Sequence, residues 1–230
     1  MDYSYLERNL AGVREGMSSA MREAGREDEV ILLAAIKSAD VEEIRYLHDV
    51  LGVRYVGENR VQQLLERYEQ IRREDMEIHF IGTLQTNKVK YIVDKVSMIH
   101  SVDSIKLAAQ IDRLCAAKGI VMDILVEINS GEEENKSGLL PADVLPFCEE
   151  LKQFSHIRHR GFMTMAPKCE KKEEYRKFFA QTYQLCIDIW TKKLHNIGVP
   201  VISMGMSESY EEAILEGSNL VRVGRTLFVK

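Results

Sequence analysis

The sequence lacks the marks of several protein classes. Its four cysteines, Cys115, Cys148, Cys169 and Cys186, form no CxxC pair and stand at no zinc-ligand spacing. They read as free thiols of a reducing compartment, which leads us to expect a cytoplasmic protein without metal. No stretch approaches the roughly 18 apolar residues that a membrane span needs. The first 25 residues carry acids early and have no apolar core segment, so they do not read as a signal peptide. Positive charge is not in excess: the formal net charge is −5, which gives no support to nucleic-acid binding. Linkers, repeats and low-complexity tracts are also missing.

What is present is regular alternation. Leu6, Leu10, Val13, Met17 and Met21 recur at helical spacing over residues 4–24. VILLAAI at 30–36 is a short apolar run, as in a strand buried on both faces. A helix follows over 41–51, stopped by Gly52, then a strand at 54–59 and a helix over 60–73. The pattern goes on with strands at 77–82, 97–102, 121–129, 157–165, 199–205 and 219–224. Helices are expected between them over 87–96, 104–118, 141–152, 172–195 and 207–217. Pro141 opens one in its first turn, and Ser207 is placed to cap the last, which Gly217 ends.

Strands separated by helical crossovers imply a parallel sheet. Eight such units in 230 residues predict an α/β protein, a single (β/α)8 TIM barrel in one domain over 1–230, with an extra N-terminal helix. The chain stops six residues after Gly224, which leaves the eighth strand without a following helix. The N-terminal helix is expected to cover that part of the wall.

Barrel active sites lie at the C-terminal strand ends. There the sequence places Lys37 after strand one, Glu58 and Asn59 after strand two, and His100 and Ser101 after strand four. A lysine entering the barrel mouth loses water, which would lower its pKa and free its amine for attack on aldehydes. A strand-end lysine also often just reaches solvent. Ser203-Met204-Gly205-Met206-Ser207 joins strand seven to a helix start, and Arg222-Val223-Gly224-Arg225-Thr226 closes strand eight. Barrels often hold a phosphate between these two loops, on backbone N–H groups. Other residues read more simply. His79 is a hydrogen-bonded core residue. Glu132-Glu133-Glu134 is a solvated loop. Lys88, Lys90 and Lys95 form a solvated face, and Trp190 packs the long sixth helix. His156, His159 and His195 show no ligand spacing.

Several segments together resemble one family: AAIKS at 34–38, VGENRVQ at 56–62, HFIGTLQTNK at 79–88, HSVDS at 100–104, NKSG at 135–138, RGFMTMAP at 160–167, SMGMS at 203–207 and VRVGRTLF at 221–228. The chain is similar to the pyridoxal phosphate homeostasis proteins, the YggS-like family, from about Leu32 to Phe228. The resemblance implies a barrel like the N-terminal domain of alanine racemase. It implies pyridoxal 5′-phosphate (PLP, the vitamin B6 cofactor) as an internal aldimine on Lys37. It also implies Asn59 in the cofactor pocket; Ser203, Met204, Gly205 and Gly224 at the phosphate, with Arg225 and Thr226 beside them; and Arg222 facing the pyridine nitrogen. Where many relatives continue with FG and charged residues, this chain ends Phe228-Val229-Lys230.

The family implies a PLP-binding protein of intracellular vitamin B6 homeostasis without firm catalytic activity. Its expected partners are PLP and PLP-requiring apo-enzymes, in a monomer or weak dimer. The alternative is a racemase-like enzyme. Two-sided proton transfer needs a second base opposite Lys37, and the sequence offers none. A third reading, an aldolase-like barrel with Lys37 as its Schiff-base lysine, is disfavoured by the joint SMGMS and VRVGR pattern.

Overall fold

The structure, a computed structural model, describes residues 2–192 and 198–230. His195 and the last turn expected of the sixth crossover helix lie outside the described residues. In chain order the elements are α1 (Ser4–Glu23), β1 (Ile31–Ala35), α2 (Val41–Asp49), β2 (Tyr55–Glu58), α3 (Val61–Ile71), β3 (Glu77–Phe80) and β4 (Met98–Val102). Then come α4 (Ile105–Lys118), β5 (Met122–Ile128), α5 (Pro141–Leu151), β6 (Ile157–Thr164), α6 (Lys172–Thr191), β7 (Val201–Ser203), α7 (Tyr210–Leu215), β8 (Leu220–Val223) and α8 (Arg225–Phe228). The eight strands form a closed parallel barrel in sequence order. Closure is made by β1 against β8, from Ile31 beside Leu220 to Ala34 beside Val223. The predicted (β/α)8 barrel is what forms.

Alternation along the strands makes two cores. Residues such as Ala34, Val56, Phe80, Ile99, Val126 and Phe162 face outward into the main shell beneath the helices. Leu33, Ile81 and Leu220 form one interior cluster, and Met98, Leu125 and Met163 another.

The N-terminal helix does what its position predicted. Leu6, Leu10, Val13, Met17 and Ala20 are buried along one face of α1. Asn9 Nδ2 donates to the carbonyls of Leu227 at 3.0 Å and Val229 at 2.8 Å. Arg14 donates to Leu51 O at 3.2 Å, beyond the end of α2. Tyr5 donates its hydroxyl to Glu43 of α2. Glu43 also completes a capping box: Asp40 accepts from Glu43 N, and Glu43 from Asp40 N, both at 2.8 Å. So α1 bridges α2 and the chain end.

Three local expectations are corrected. Residues 87–96 do not form an α-helix but a 3₁₀ segment over Thr86–Tyr91 and further turns. Val89, Ile92, Val93 and Val96 are buried as the spacing implied. The run is rich in β-branched residues, which hold a regular helix weakly. A one-turn helix, α8, follows β8 where none was expected. Finally, α7 begins at Tyr210, so Ser207 is not its cap.

The seam between β7 and β8 has one ladder pair, Ser203 with Leu220. Backbone bonds from Asn219 N to Ile202 O at 3.2 Å and from Arg222 N to Gly205 O at 3.1 Å also cross it, and side chains add to them. Ser218 Oγ lies 3.1, 2.9 and 3.0 Å from the carbonyl oxygens of Ile202, Met204 and Leu220. Asn219 accepts from Ile202 N at 2.7 Å and donates to Pro200 O at 2.8 Å.

Candidate functional site

At the C-terminal mouth, between the ends of β1, β2 and β8, lies a pocket of about 410 Å³. Lys37, Asn59, Arg222, Gly224 and Arg225 line it, all singled out from the sequence. Ser207, read from the sequence as part of the strand-seven loop and as a helix cap, also lines it, as do Ser38, Tyr175 and Glu208, to which no role was given.

Lys37 lies past the rim. β1 ends at Ala35 and a 3₁₀ turn over Ile36–Ser38 carries the chain outward. Its side chain is exposed, so the expected loss of water in the barrel mouth is not what this geometry gives. Asn59 is half-buried and lines the pocket wall just after β2.

Arg222 is the opposite case. It is 4% exposed and enters the barrel interior from β8. Nη1 donates to Ser203 O at 2.7 Å and Ser203 Oγ at 2.6 Å, and Nη2 to Thr164 O at 2.8 Å. Three of its five N–H groups are used in this way; Nε–H and one N–H of Nη2 are left as donors, and Arg222 lines the pocket. Burial pulls its pKa down to about 10, against the opposing pull of Glu127, so the guanidinium stays charged at neutral pH.

Ser203 continues this chain inward. Its Oγ is 3.2 Å from His100 Nδ1, and His100 Nε2 is 2.9 Å from His79 Nδ1. Arg222 can only donate, so Ser203 Oγ accepts from it and shares a hydrogen bond with His100, which shares one with His79. Both imidazoles are buried and held neutral by loss of water, His79 with its pKa pushed down to about 4 and His100 well below the ordinary value. His79 is thus a core residue, as its strand position implied, and does not line the pocket.

The strand-seven residues expected at a phosphate, Ser203, Met204 and Gly205, do not line this pocket. The Ser203 hydroxyl is fully buried and committed to Arg222 and His100. Met204 has a fully buried side chain, and its N–H donates to Leu220 O at 3.2 Å. Gly205 turns the chain with φ +92°, where a Cβ would lie 2.5 Å from that of Ala213. The residue that does face the turn after β8 is Ser207. Its Oγ accepts from Gly224 N at 3.2 Å and Thr226 N at 3.3 Å. Two amides of the β8–α8 turn therefore converge on one oxygen. The serine spacing in SMGMS was visible, but the capping reading assigned its second serine to α7.

The remaining groups are accounted for. Arg225 is exposed and pairs with Glu208 across the rim. Lys136 pairs with Glu133 and does not line the pocket. Glu127 is 2% exposed; burial raises its carboxyl pKa, and a 2.9 Å bond from Ser137 opposes that. Trp190 packs edge-on against Phe162 and His159. Burial raises the thiol pKa of Cys115 to about 11 and of Cys148 to about 12. Among the described residues no cluster of His, Cys, Asp and Glu could hold a metal ion, and no helix is long and apolar enough to cross a membrane.

Comparison with known proteins adds three kinds of likeness. The model of the alanine racemase N-terminal domain family matches residues 9–230. A protein of Aquifex aeolicus named pyridoxal phosphate homeostasis protein is 40% identical over 220 residues, covering 95% of each chain. Among solved structures, a protein of unknown function from Bifidobacterium adolescentis is 32% identical with a TM-score of 0.87, over 99% of this chain and 97% of that one. PipY of Synechococcus elongatus, solved with PLP bound, is 29% identical with a TM-score of 0.83, over 97% of this chain and 100% of that one.

Proposed function

We propose that this chain, which belongs to the alanine racemase N-terminal domain family and within it to the pyridoxal phosphate homeostasis proteins, holds PLP in the pocket at the barrel mouth. The proposal takes residues 1–230 as one domain.

The observation that carries it is the donor set. A phosphate ester needs several N–H donors around its oxygens, and the amides of Gly224 and Thr226 already converge on one oxygen, the Ser207 Oγ, whose place a phosphate oxygen would take. A pyridine nitrogen needs a donor, and the free Nε of the buried Arg222 is one. An aldehyde needs an amine, and Lys37 lines the same pocket. The residues present fit the group.

When bound, PLP supplies an aldehyde that condenses with the Lys37 amine, with loss of one water. The amides of Gly224 and Thr226 and the Ser207 hydroxyl hold the phosphate. Asn59 walls the ring, and Arg225 adds positive charge at the rim. Arg222, a charged donor, disfavours a proton on the ring nitrogen. An unprotonated ring is the weaker electron sink, so this site is suited to holding the cofactor more than to stabilising carbanions. Two-sided proton transfer needs a second free base. Glu208 is tied to Arg225, and the Tyr175 hydroxyl accepts from Cys169 N at 3.3 Å. The role is then storage in the cytoplasm and delivery to PLP-requiring apo-enzymes.

The test is borohydride reduction of the PLP-treated protein followed by peptide mass spectrometry. The mass of reduced cofactor is expected on Lys37 in the wild type and nowhere in Lys37→Ala. Label spread over surface lysines, or no label at saturation, contradicts the proposal.

A further inference from the structure

Lys37 is exposed, yet the backbone that bears it is gripped from within. Arg67 of α3 is 6% exposed and Glu58 at the end of β2 is fully buried. Arg67 Nη2 donates to Glu58 and, at 3.0 Å, to the carbonyl of Ile36. Its Nη1 donates to the carbonyl of Ala39, also at 3.0 Å. These two carbonyls bracket the turn Ile36–Ser38. Gln63, one helical turn earlier in α3, donates to the carbonyl of Lys37 itself at 2.9 Å. The other oxygen of Glu58 accepts from the amides of Asn59 at 2.7 Å and Arg60 at 3.1 Å. On its far side Asn59 is packed so tightly against Gly82 that a Cβ there would lie 2.1 Å from the Asn59 carbonyl oxygen.

A buried ion pair of this kind is an uneconomical way to gain stability, since desolvation offsets most of the attraction. What it does supply is direction. One guanidinium satisfies two carbonyls and a carboxylate in one plane, and that carboxylate fixes the start of α3. We propose that Glu58, Arg67 and Gln63 are positioning residues that set the Lys37 turn and Asn59 in a fixed relation across the pocket mouth. The inference rests on the PLP reading of the site. In that reading the Lys37 amine must meet one face of the aldehyde carbon; a C=N bond would form as the aldehyde oxygen leaves as water with the two amine protons. An error of about 1 Å in such an approach costs on the order of a hundredfold in rate. Apart from Asn59, the phosphate and ring contacts lie on β8, its turn and Ser207 after β7, outside the clamp.

This separation provides the test. Full-length wild type, Gln63→Leu, Arg67→Lys and Lys37→Ala are compared with two probes. PLP reports covalent attachment through its visible absorbance and borohydride-fixed mass. Pyridoxine 5′-phosphate, with an alcohol in place of the aldehyde, reports the phosphate and ring contacts by calorimetry. Gln63→Leu and Arg67→Lys are expected to slow attachment about tenfold or more, and to bind pyridoxine 5′-phosphate within about twofold of wild type. Attachment at the wild-type rate in both variants overturns the inference. Equal losses with both probes also overturn it, since they show general loosening of the fold. Gln63 is half-buried and carries no charge, so Gln63→Leu decides the matter if Arg67→Lys does not fold. If the wild type itself does not attach PLP to Lys37, the functional reading fails first and the positioning role fails with it.

Discussion

Lys37 and Arg222 line one pocket, the first exposed at its rim and the second buried in the barrel interior, a contrast that the sequence did not show. The strand patterns brought Lys37, Asn59, Arg222 and Gly224 to the right end of the barrel. They could not separate Ser203 from Ser207, because hydroxyl partners are set by chain ends far apart in sequence. They also missed that Ser203, His100 and His79 form one buried chain behind Arg222. Its two imidazoles have a measurable consequence. Each is neutral when folded and takes up a proton when unfolded below the ordinary histidine value of about 6.5. The unfolded state therefore binds more protons as pH falls from 6.5 toward about 4, the folded value for His79, and stability drops across that window. The expected slope is roughly 1.4 kcal/mol per pH unit for each histidine. Urea titrations between pH 7 and pH 5 should show a shallower slope in His79→Gln than in wild type. An unchanged slope would mean that His79 is protonated in the fold.

All eight strands were legible, and so were the expected helices except that at 87–96; the ends of short helices were not. α1 is the clearest case: its stripe from Leu6 to Ala20 predicted both the helix and its burial. The place left by the missing crossover helix after β8 told where it would pack. α7 and α8, of six and four residues, carry too few apolar positions to show a period, and tertiary contacts decide their ends. If α1 is part of the barrel wall, its apolar face belongs to the cooperative core. Leu10→Ala, at a site 2% exposed, is expected to cost about 2–5 kcal/mol in urea unfolding, in one transition. A loss below about 0.5 kcal/mol, as for surface changes, would show that α1 is only laid against the barrel.

Closure of the barrel in sequence order follows from seven crossover connections between parallel neighbours and the pairing of β8 with β1, and alternation alone predicted it. The uneven strength of that closure was not predictable, because it depends on side chains that stitch across a gap. The β7–β8 seam, with its single ladder pair, is held by a few further backbone bonds, by Ser218 and Asn219, and by one end of the Arg222 guanidinium. Arg222 reaches past β7 to the carbonyl of Thr164 on β6.

That reach makes the pocket and the seam two ends of one lever. Breathing of the wall should begin where the ladder is shortest, and it requires Arg222 to release its carbonyls. A ligand that occupies the remaining nitrogen of Arg222 must then slow the breathing, since it binds only while the arginine is docked. Deuterium uptake at the amides of Asn219 and Arg222 should fall on loading with PLP, more than at the β2–β3 ladder. Equal protection everywhere would uncouple the two. With the coupling present, the barrel tells its surroundings whether it is loaded through the rate at which one seam opens, without any change of shape.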